Sequence, residues 1–415
     1  MVTIRAFKGI RPKKGLEEKI ASRPYDVLNS EEAREEAKGN VMSLYHIIKP
    51  EIDFSADTDA HSQEVYDSAV ASFTKFKENN WLIQDEAPSL YIYAQTMDGR
   101  TQYGLAACAS VDDYLNDKIK KHELTRKDKE EDRMLHVRIN NANIEPVFFS
   151  YRSNNRINEI ISNVTDNSEA IYNFTSEDNI GHSFWIINSN DTITEITNIF
   201  QNIDSTYVAD GHHRSAAAAL VGKEKREKYP NYSGDEEFNY FLAVHFPDNQ
   251  LKIFDYNRVI KDLNGLTTEQ FLEKLSENFN IEKMGTNQYR PGNIHIMGLY
   301  IESNWYKLEF KDGTYDDADP IKALDVTTLT KYVLEPIINI TDLRTSKRID
   351  FIGGIRGLEE LEKRVDSGEM VAAFAMYPVS MDQLINIADS GNIMPPKTTW
   401  FEPKLRSGLI IHSLD

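Results

Sequence analysis

Apolar residues recur along this chain with two different periods. Residues 90–95 (LYIYAQ) and 102–107 (QYGLAA) are rich in strand-forming side chains, and Asp98-Gly99 lies between them. An Asp-Gly pair between two such runs favours a β-hairpin. Residues 61–80 instead carry apolar side chains three or four positions apart, which predicts an amphipathic helix.

The two patterns alternate irregularly over the rest of the chain. Further helices are expected at residues 30–37, 125–140, 191–202, 215–229, 267–279, 320–338, 358–367 and 380–390. Strands are expected at residues 147–151, 182–187, 206–210, 238–246, 251–259, 349–352 and 370–377, with a hairpin at 294–310. Ser30 is the expected N-cap of its helix, and Thr125-x-x-Asp128 resembles a capping pattern. This order lacks the regular alternation of a pure Rossmann sheet, which predicts a mixed α+β class.

Length and composition limit the kinds of protein that the chain can be. A chain of 415 residues is too long to fold around a single hydrophobic core of ordinary size. We therefore expect an N-terminal α/β subdomain over 1–120, a core over 121–262 and a C-terminal α/β subdomain over 263–415. The net charge of −19 argues against a nucleic-acid partner. Cys108 is the one cysteine and lies in an apolar segment, so we expect a buried thiol and no cysteine-built zinc site. No signal-peptide pattern or long apolar run is present, which predicts a cytoplasmic protein without a membrane partner.

The densest polar chemistry lies between a predicted strand and an alanine-rich predicted helix. This segment is Asp210-Gly211-His212-His213-Arg214, called here the 210–214 turn. A helix N-terminus carries unpaired N–H groups and partial positive charge, which suit a phosphate. The carboxylate could hold Mg²⁺ or accept a proton from an attacking hydroxyl. The structural alternative is a helix cap with incidental histidines, and adjacent histidines are poorly spaced for a shared metal ion.

A charged segment before the 210–214 turn is a second candidate. Its polar residues are Lys121, His122, Glu123, Thr125, Lys129, Asp132, Arg133 and His136. The last four cluster through i+3 and i+4 spacing on the predicted helix, which could place them toward a ligand. The alternative is a solvated helix carrying ion pairs, which is the usual role of such a run.

Two loops add further candidates. Residues 394–408 hold cations and hydroxyls that could close over a phosphate, namely Lys397, Thr398, Thr399, Lys404 and Arg406. The alternative is a surface loop. Near the N-terminus, Arg23-Pro24-Tyr25-Asp26-Val27 is either a proline-fixed turn or part of the site.

These motifs together resemble a known family. Residues 209–214 before the alanine-rich helix resemble the signature of the ParB and sulfiredoxin-like superfamily, one branch of which contains free L-serine kinases. The chain as a whole resembles the domain-of-unknown-function family numbered one thousand and fifteen. The likeness is carried by residues 23–27, 121–133, 143–146, 209–214 and 394–408. It implies a ParB/sulfiredoxin-like nucleotide-binding core with additional mixed α/β subdomains.

The resemblance also implies roles for individual residues. Nucleotide phosphates would be bound by Gly211, His212, His213 and Arg214, with support from Lys121, His122, Thr125, Arg133, Lys397, Thr398 and Thr399. Asp210 would lie at Mg²⁺ or at the transferred phosphoryl group. The base would be an acid from an earlier segment, with Glu123 as the candidate and Asp26 as the alternative. Sulfiredoxin chemistry needs a cysteine at the turn, and residues 209–215 contain none.

The resulting hypothesis is a small-molecule kinase that uses ATP or ADP and phosphorylates free L-serine to O-phosphoserine. A homodimer is compatible with it. The main alternative is a nucleotide-binding regulatory or switch protein without phosphotransfer. A third is a metal-dependent hydrolase that uses His212 and His213.

Overall fold

The computed structural model describes residues 1–415, which form two compact units: residues 1–251 with 403–415, and residues 252–402. The three-part domain division stays a prediction. The α-helices are α1 Glu17–Ile20, α2 Ser30–Glu36, α3 Tyr45–Ile48, α4 Gln63–Glu78, α5 Val111–Leu115, α6 Lys127–Asn140, α7 Asn155–Asn167, α8 Asn190–Phe200, α9 His212–Lys228, α10 Thr268–Leu275, α11 Asp325–Leu329, α12 Glu359–Asp366 and α13 Met381–Asp389. Short 3-10 helices lie at Pro50–Asp53, Glu237–Asn239, Asp248–Gln250 and Gly354–Arg356, and a π-helical turn at Thr330–Leu334.

Strands account for most of the core of both units. They are β1 Ile4–Arg5, β2 Ile10–Pro12, β3 Leu82–Gln84, β4 Leu90–Met97, β5 Arg100–Ser110, β6 Ile119–Lys120, β7 Ala142–Asn143, β8 Val147–Tyr151, β9 Tyr172–Thr175, β10 Gly181–Ile187, β11 Thr206–Asp210, β12 Tyr240–Pro247, β13 Ile253–Phe254, β14 Tyr256–Ile260, β15 Phe279–Gly285, β16 Ile296–Ile301, β17 Asn304–Phe310, β18 Ile349–Gly353, β19 Ala372–Ala375, β20 Trp400–Phe401 and β21 His412–Ser413. This mixture of helices and mixed sheets confirms the predicted α+β class.

The first unit is built on a nine-stranded sheet. Its order is β6-β11-β8-β12-β5-β4-β10-β9, and β1 adds to β5. The pairs β6–β11 and β8–β12 are parallel, and the other pairs are antiparallel. Because carboxyl ends of parallel strands meet at one sheet edge, the segments that follow β6 and β11 are neighbours.

Different segments pack against the two faces of this sheet. On one face, apolar residues of β4, β5, β8 and β12 pack with α7, α8 and α9, including the buried Ile157, Phe200 and Ala219. The other face carries Tyr91 and Tyr93 and is covered by the chain ends, since Phe7 packs on the Tyr91 ring at 5.3 Å and the Arg406 N–H donates to the Tyr93 hydroxyl. The C-terminal segment is therefore held against the sheet.

A bulge changes the direction of the last residue of β11. Thr206 and Val208 pair with Tyr151 and Phe149 on β8, but Asp210 pairs with Phe148 after a register shift. One extra residue reverses the face to which a strand residue belongs. Asp210 is thereby turned to the sheet face that the C-terminal segment covers.

The second unit has its own antiparallel sheet. Its six strands run in the order β15-β17-β16-β19-β14-β18. Its core includes the fully buried Trp305 and Leu361. β13 and β20 form a separate antiparallel pair.

Most predicted elements are confirmed, and several details are wrong: the helix predicted at 267–279 ends at Leu275, and the strand predicted at 251–259 is divided into β13 and β14. Asp98 and Gly99 form the turn between β4 and β5, both with positive φ. The cap of α2 is Asn29, which makes a capping box with Glu32, so Ser30 is the first helical residue. Arg126 directly precedes α6, and no side chain caps the N-terminus of this helix. The pattern that begins at Thr125 is therefore not a cap.

The predicted helix 320–338 is also shorter than expected. It is reduced to α11 and the π-helical turn, which end before Pro336. Proline lacks the N–H that a continuing helix needs, and its ring clashes with the preceding turn. Cys108 is fully buried as predicted, and burial raises its pKa well above the ordinary value. None of the helices is both long enough and apolar enough to span a bilayer.

A substitution at Gly222 tests how closely α9 packs against its neighbours. A Cβ at this position would lie 2.6 Å from the Phe238 carbonyl oxygen and 2.9 Å from Val111. We therefore expect Gly222→Ala to lower the free energy of unfolding by about 1–3 kcal/mol, because this overlap outweighs the helix propensity of alanine. Urea denaturation followed by circular dichroism measures the change. Lys223→Ala, on the exposed side of α9, is the control, and a stabilised Gly222→Ala would contradict this packing.

Candidate functional site

The 210–214 turn joins the end of β11 to the start of α9. Gly211 has φ +88°, a left-handed conformation that glycine adopts at little cost, and α9 begins at His212. The Ser215 N–H donates to the Gly211 carbonyl at 2.9 Å as the helix begins, and no side chain caps its N-terminus. The first N–H groups of a helix have no acceptor within it. The turn therefore has the backbone arrangement of an anion site.

His122 and His212 come together because β6 and β11 are parallel. Their rings lie 4.6 Å apart in an edge-to-face arrangement, and both side chains are buried. Burial lowers the pKa of His122 to about 4 and that of His212 well below its ordinary value. Nε2 of His212 is buried without a hydrogen-bond partner. Both rings are therefore neutral at physiological pH.

The Asp210 carboxylate is held between two cations. Lys404 Nζ lies 3.3 Å from one oxygen, and Arg214 Nη2 lies 3.2 Å from the other. Burial opposes ionisation, but the two cations outweigh it and lower the pKa of Asp210 to about 2. Arg214 also donates from Nη1 to the Pro146 carbonyl at 2.8 Å, while its buried Nε has no hydrogen-bond partner. The Asp210 carboxylate is thus ionised and has a cation beside each oxygen.

Two buried glutamines place Lys404. The Gln95 side chain donates to the Lys404 carbonyl at 2.9 Å, and Gln102 donates to Gln95 at 3.1 Å. Both lie on the sheet face that the C-terminal segment covers. They fix the backbone from which the lysine reaches Asp210.

The two candidate bases occupy different positions. Asp26 is exposed. Burial lowers the pKa of His213, and the negative charge of Asp26 acts in the opposite direction, so the carboxylate lies near the turn. Its segment is fixed by two backbone hydrogen bonds between Ser22 and Ser407. Glu123 is half-buried directly after His122. Asp26 thus lies near the turn, and Glu123 follows the histidine whose ring contacts His212.

Other predicted residues have partners outside the turn. Lys121 pairs with Asp117 at 3.1 Å, and the Thr125 hydroxyl donates to Glu130 at 2.9 Å. His213 accepts the Arg126 N–H at Nε2, at 3.0 Å, and burial lowers its pKa. This bond makes His213 a support for the start of α6.

Arg133 lies behind the turn. It pairs with Asp132 at 2.6 Å and with Glu145 at 3.3 Å, and it stacks over the Tyr25 ring at 3.9 Å. A cavity of about 40 Å³ touches Arg133, Glu145 and Arg214, enough for a buried water. Arg133 is therefore held by Asp132, Glu145 and Tyr25, and it shares a cavity with Arg214 of the turn.

Lys397, Thr398 and Thr399 belong to the second unit. The Lys397 carbonyl accepts from Arg258 at 2.8 Å, and the Thr398 hydroxyl donates to the Pro395 carbonyl at 2.6 Å. These bonds shape their own loop. Their contribution to phosphate binding stays a prediction.

Sequence reasoning missed Glu145 and Gln95 and named Lys404 only as part of a loop. Glu145 accepts the Tyr25 N–H at 3.1 Å and the Ser407 hydroxyl at 3.3 Å, so it joins both chain ends to α6. The one feature of the sequence that could have pointed to Glu145 is its position directly before Pro146. No group of three or more His, Cys, Asp or Glu side chains is arranged to hold a metal ion.

The family of the chain follows from a comparison with family models. A model described as a protein of unknown function, DUF1015, matches residues 4–327. The chain therefore belongs to the DUF1015 family. No curated protein matches it.

Several solved structures are distantly similar. A conserved hypothetical protein from Pyrococcus furiosus is 14% identical, with a TM-score of 0.36, over 73% of this chain and 95% of that one. A mutant free serine kinase in complex with AMP is 13% identical, with a TM-score of 0.37, over 73% and 92%. SbnI from Staphylococcus aureus, truncated at its C-terminus, is 10% identical, with a TM-score of 0.33, over 74% and 87%. These likenesses are too distant to transfer a ligand or a reaction.

The buried histidines give a prediction for pH titration. We expect the ring-proton NMR shifts of His122 and His212 to stay at neutral-state values from pH 8 to about 5.5. His46 is the internal control, because its hydrogen bond to Asp53 raises its pKa. Since the unfolded chain protonates His122 and His212 near pH 6.5, their burial makes the fold less stable as the pH falls below that value. A His212 midpoint near 6.5 would contradict the buried, neutral ring.

Proposed function

We propose that the 210–214 turn binds the phosphates of ATP or ADP, and that the protein transfers the terminal phosphoryl group to a hydroxyl of free L-serine. One observation carries the proposal: the uncapped N-terminus of α9 lies beside an ionised carboxylate with two cations on it. N–H groups, Arg214 and Lys404 together would neutralise phosphate charge, which is the main requirement of phosphoryl transfer.

Asp210 is suited to a metal or electrostatic role rather than to that of a base. A carboxyl with a pKa of about 2 is a weak proton acceptor near neutral pH. Mg²⁺ that arrives with a nucleotide needs only one or two carboxylates, because phosphates and waters supply its other ligands. Asp210 offers ionised oxygens for this purpose, and Mg²⁺ bound there would neutralise charge on the phosphates.

The chemical step needs a separate base, for which Glu123 and Asp26 are the candidates. The base takes the proton of the acceptor hydroxyl while its oxygen bonds to the terminal phosphorus. The bond from that phosphorus to the bridging oxygen breaks, and the nucleotide leaves with the electron pair. Arg214 and Lys404 would stabilise the charge that develops on the phosphoryl oxygens.

Asp210→Asn tests the catalytic part of the proposal. Incubation with Mg²⁺, L-serine and either ATP or ADP should yield O-phosphoserine, detected by mass spectrometry. We expect Asp210→Asn to lower the rate by about 100-fold or more, because it removes the ionised oxygen that would hold Mg²⁺ against the phosphates. Asp204→Asn, an exposed change before β11, should leave the rate unchanged.

The assay also separates the two functional classes. Nucleotide binding without phosphate transfer to any hydroxyl compound in a panel would reject the kinase and support a nucleotide-dependent switch. Equal rates for Asp210→Asn and the wild type would reject the role of this carboxylate.

Gly211→Ala tests the binding part. A Cβ on Gly211 would lie 3.2 Å from Nε and Nη2 of Arg214, in addition to the strain of positive φ. We expect ADP affinity, measured by calorimetry, to fall about tenfold or more, since a displaced guanidinium loses a charged hydrogen bond. Gly234→Ala is the matched control because Gly234 also has positive φ but no atoms near its Cβ position. Equal losses in both variants would contradict the proposal.

A further inference from the structure

His295 connects three parts of the second unit. It directly precedes β16. Its Nδ1 lies 3.2 Å from Asp325 at the start of α11, and its Nε2 lies 3.0 Å from Asp317. The ring also stacks on Tyr315 at 3.8 Å. Asp317 and Tyr315 belong to residues 311–324, called here the 311–324 segment, which contains no helix or strand. One imidazole thus joins this segment to the sheet and to α11.

The backbone of His295 fixes its ring between the two acids. Its φ is +63°, a left-handed conformation that residues other than glycine and asparagine seldom adopt. The strain is offset by two hydrogen bonds: the His295 N–H donates to Asp325 at 2.9 Å, and the His295 carbonyl accepts the Phe310 N–H at 3.0 Å. Strained residues that are held in this way cluster at functional and switch positions.

The number of protons on the ring decides how many of its contacts can form. An imidazolium donates from both nitrogens, whereas a neutral imidazole has one N–H and presents a lone pair at the other nitrogen. Neither Asp317 nor Asp325 forms an ion pair with a lysine or an arginine. The ring is otherwise faced by Phe310 and Tyr315. Only the charged ring therefore satisfies both carboxylates.

Loss of one proton breaks the contact to Asp317. Asp325 is buried, and one of its oxygens already lacks a hydrogen-bond partner, so leaving its charge unpaired is the more costly choice. The Asp317 side chain is 66% exposed, and water can solvate it. The remaining proton therefore stays on Nδ1, and the hydrogen bond between Nε2 and Asp317 is lost.

We propose that His295 is a proton-dependent latch, which holds the 311–324 segment against the second unit while its ring is charged and releases the segment when the ring loses a proton. The latch lies within the second unit and is independent of the proposed function.

The direction of the pH dependence follows from the contacts. The hydrogen bond to Asp325 raises the pKa of His295 above its ordinary value. Burial raises the pKa of Asp325, and the hydrogen bonds from His295 oppose this change. A raised histidine pKa stabilises the folded form fully below about pH 6.5, and this contribution is lost as the pH rises through the raised value.

Hydrogen exchange of the whole protein, followed by mass spectrometry, tests the latch. Protection factors are corrected for the intrinsic exchange rate at each pH, and β4 and β5 of the first unit serve as the reference. We expect protection of the 311–324 segment to fall by about threefold or more between about pH 6 and about pH 9, since one partly exposed ion pair is lost.

Three variants assign the effect to the ring and its partner. Asparagine tolerates positive φ but does not titrate, so His295→Asn should give the 311–324 segment the same low protection at both pH values. Asp317→Asn should lower the protection at pH 6 and remove its pH dependence. Asp312→Asn is the matched control, because it removes an exposed charge from the same segment, and it should behave as the wild type.

NMR titration of the His295 ring supplies a second measurement. We expect a midpoint above the ordinary histidine value in the wild type and a lower midpoint in Asp317→Asn. A shifted midpoint without any change in the protection of the 311–324 segment would identify an ordinary ion pair and overturn the latch. The latch would also be wrong if the loss of protection persisted in His295→Asn or, should that variant fail to fold, in Asp317→Asn.

Discussion

The ion-paired carboxylate of Asp210 is the interaction on which the rest of the site depends. A largely buried carboxylate is stable only with compensating charge, and removing one partner of such a group is costly. Arg214 supplies charge from the same helix turn, and Lys404 supplies it from the far end of the chain. The pairing requires the bulge in β11, which turns Asp210 to the correct face, and it requires Gly211, against which the guanidinium lies. One charge thus ties a strand, a helix and the C-terminus together.

The local charge of the site differs from that of the whole chain. The net charge of the chain is −19, yet Arg214, Lys404 and the positive end of α9 converge on one carboxylate. His122 and His212 add no charge to the site, because burial keeps both rings neutral. Positive charge concentrated in a small volume suits a phosphorylated small molecule better than a polymer.

The parts of the structure that depend on local sequence were predictable. The Asp98-Gly99 hairpin and the strand–turn–helix at Gly211 follow from turn chemistry within a few residues. The pairing of Lys404 with Asp210 joins positions 194 residues apart, and nothing in either segment indicates the partner. The β11 bulge and the role of Glu145 depend equally on tertiary packing. Thus the residues of the turn could be found from the sequence, whereas those that hold it could not.

The most direct test of the central claim is a crystal structure of the protein with ADP bound. We predict that the phosphate oxygens accept hydrogen bonds of about 2.7–3.2 Å from the first N–H groups of α9, with Arg214 and Lys404 beside them. A well-defined nucleotide whose phosphates touch none of residues 210–214 would contradict it.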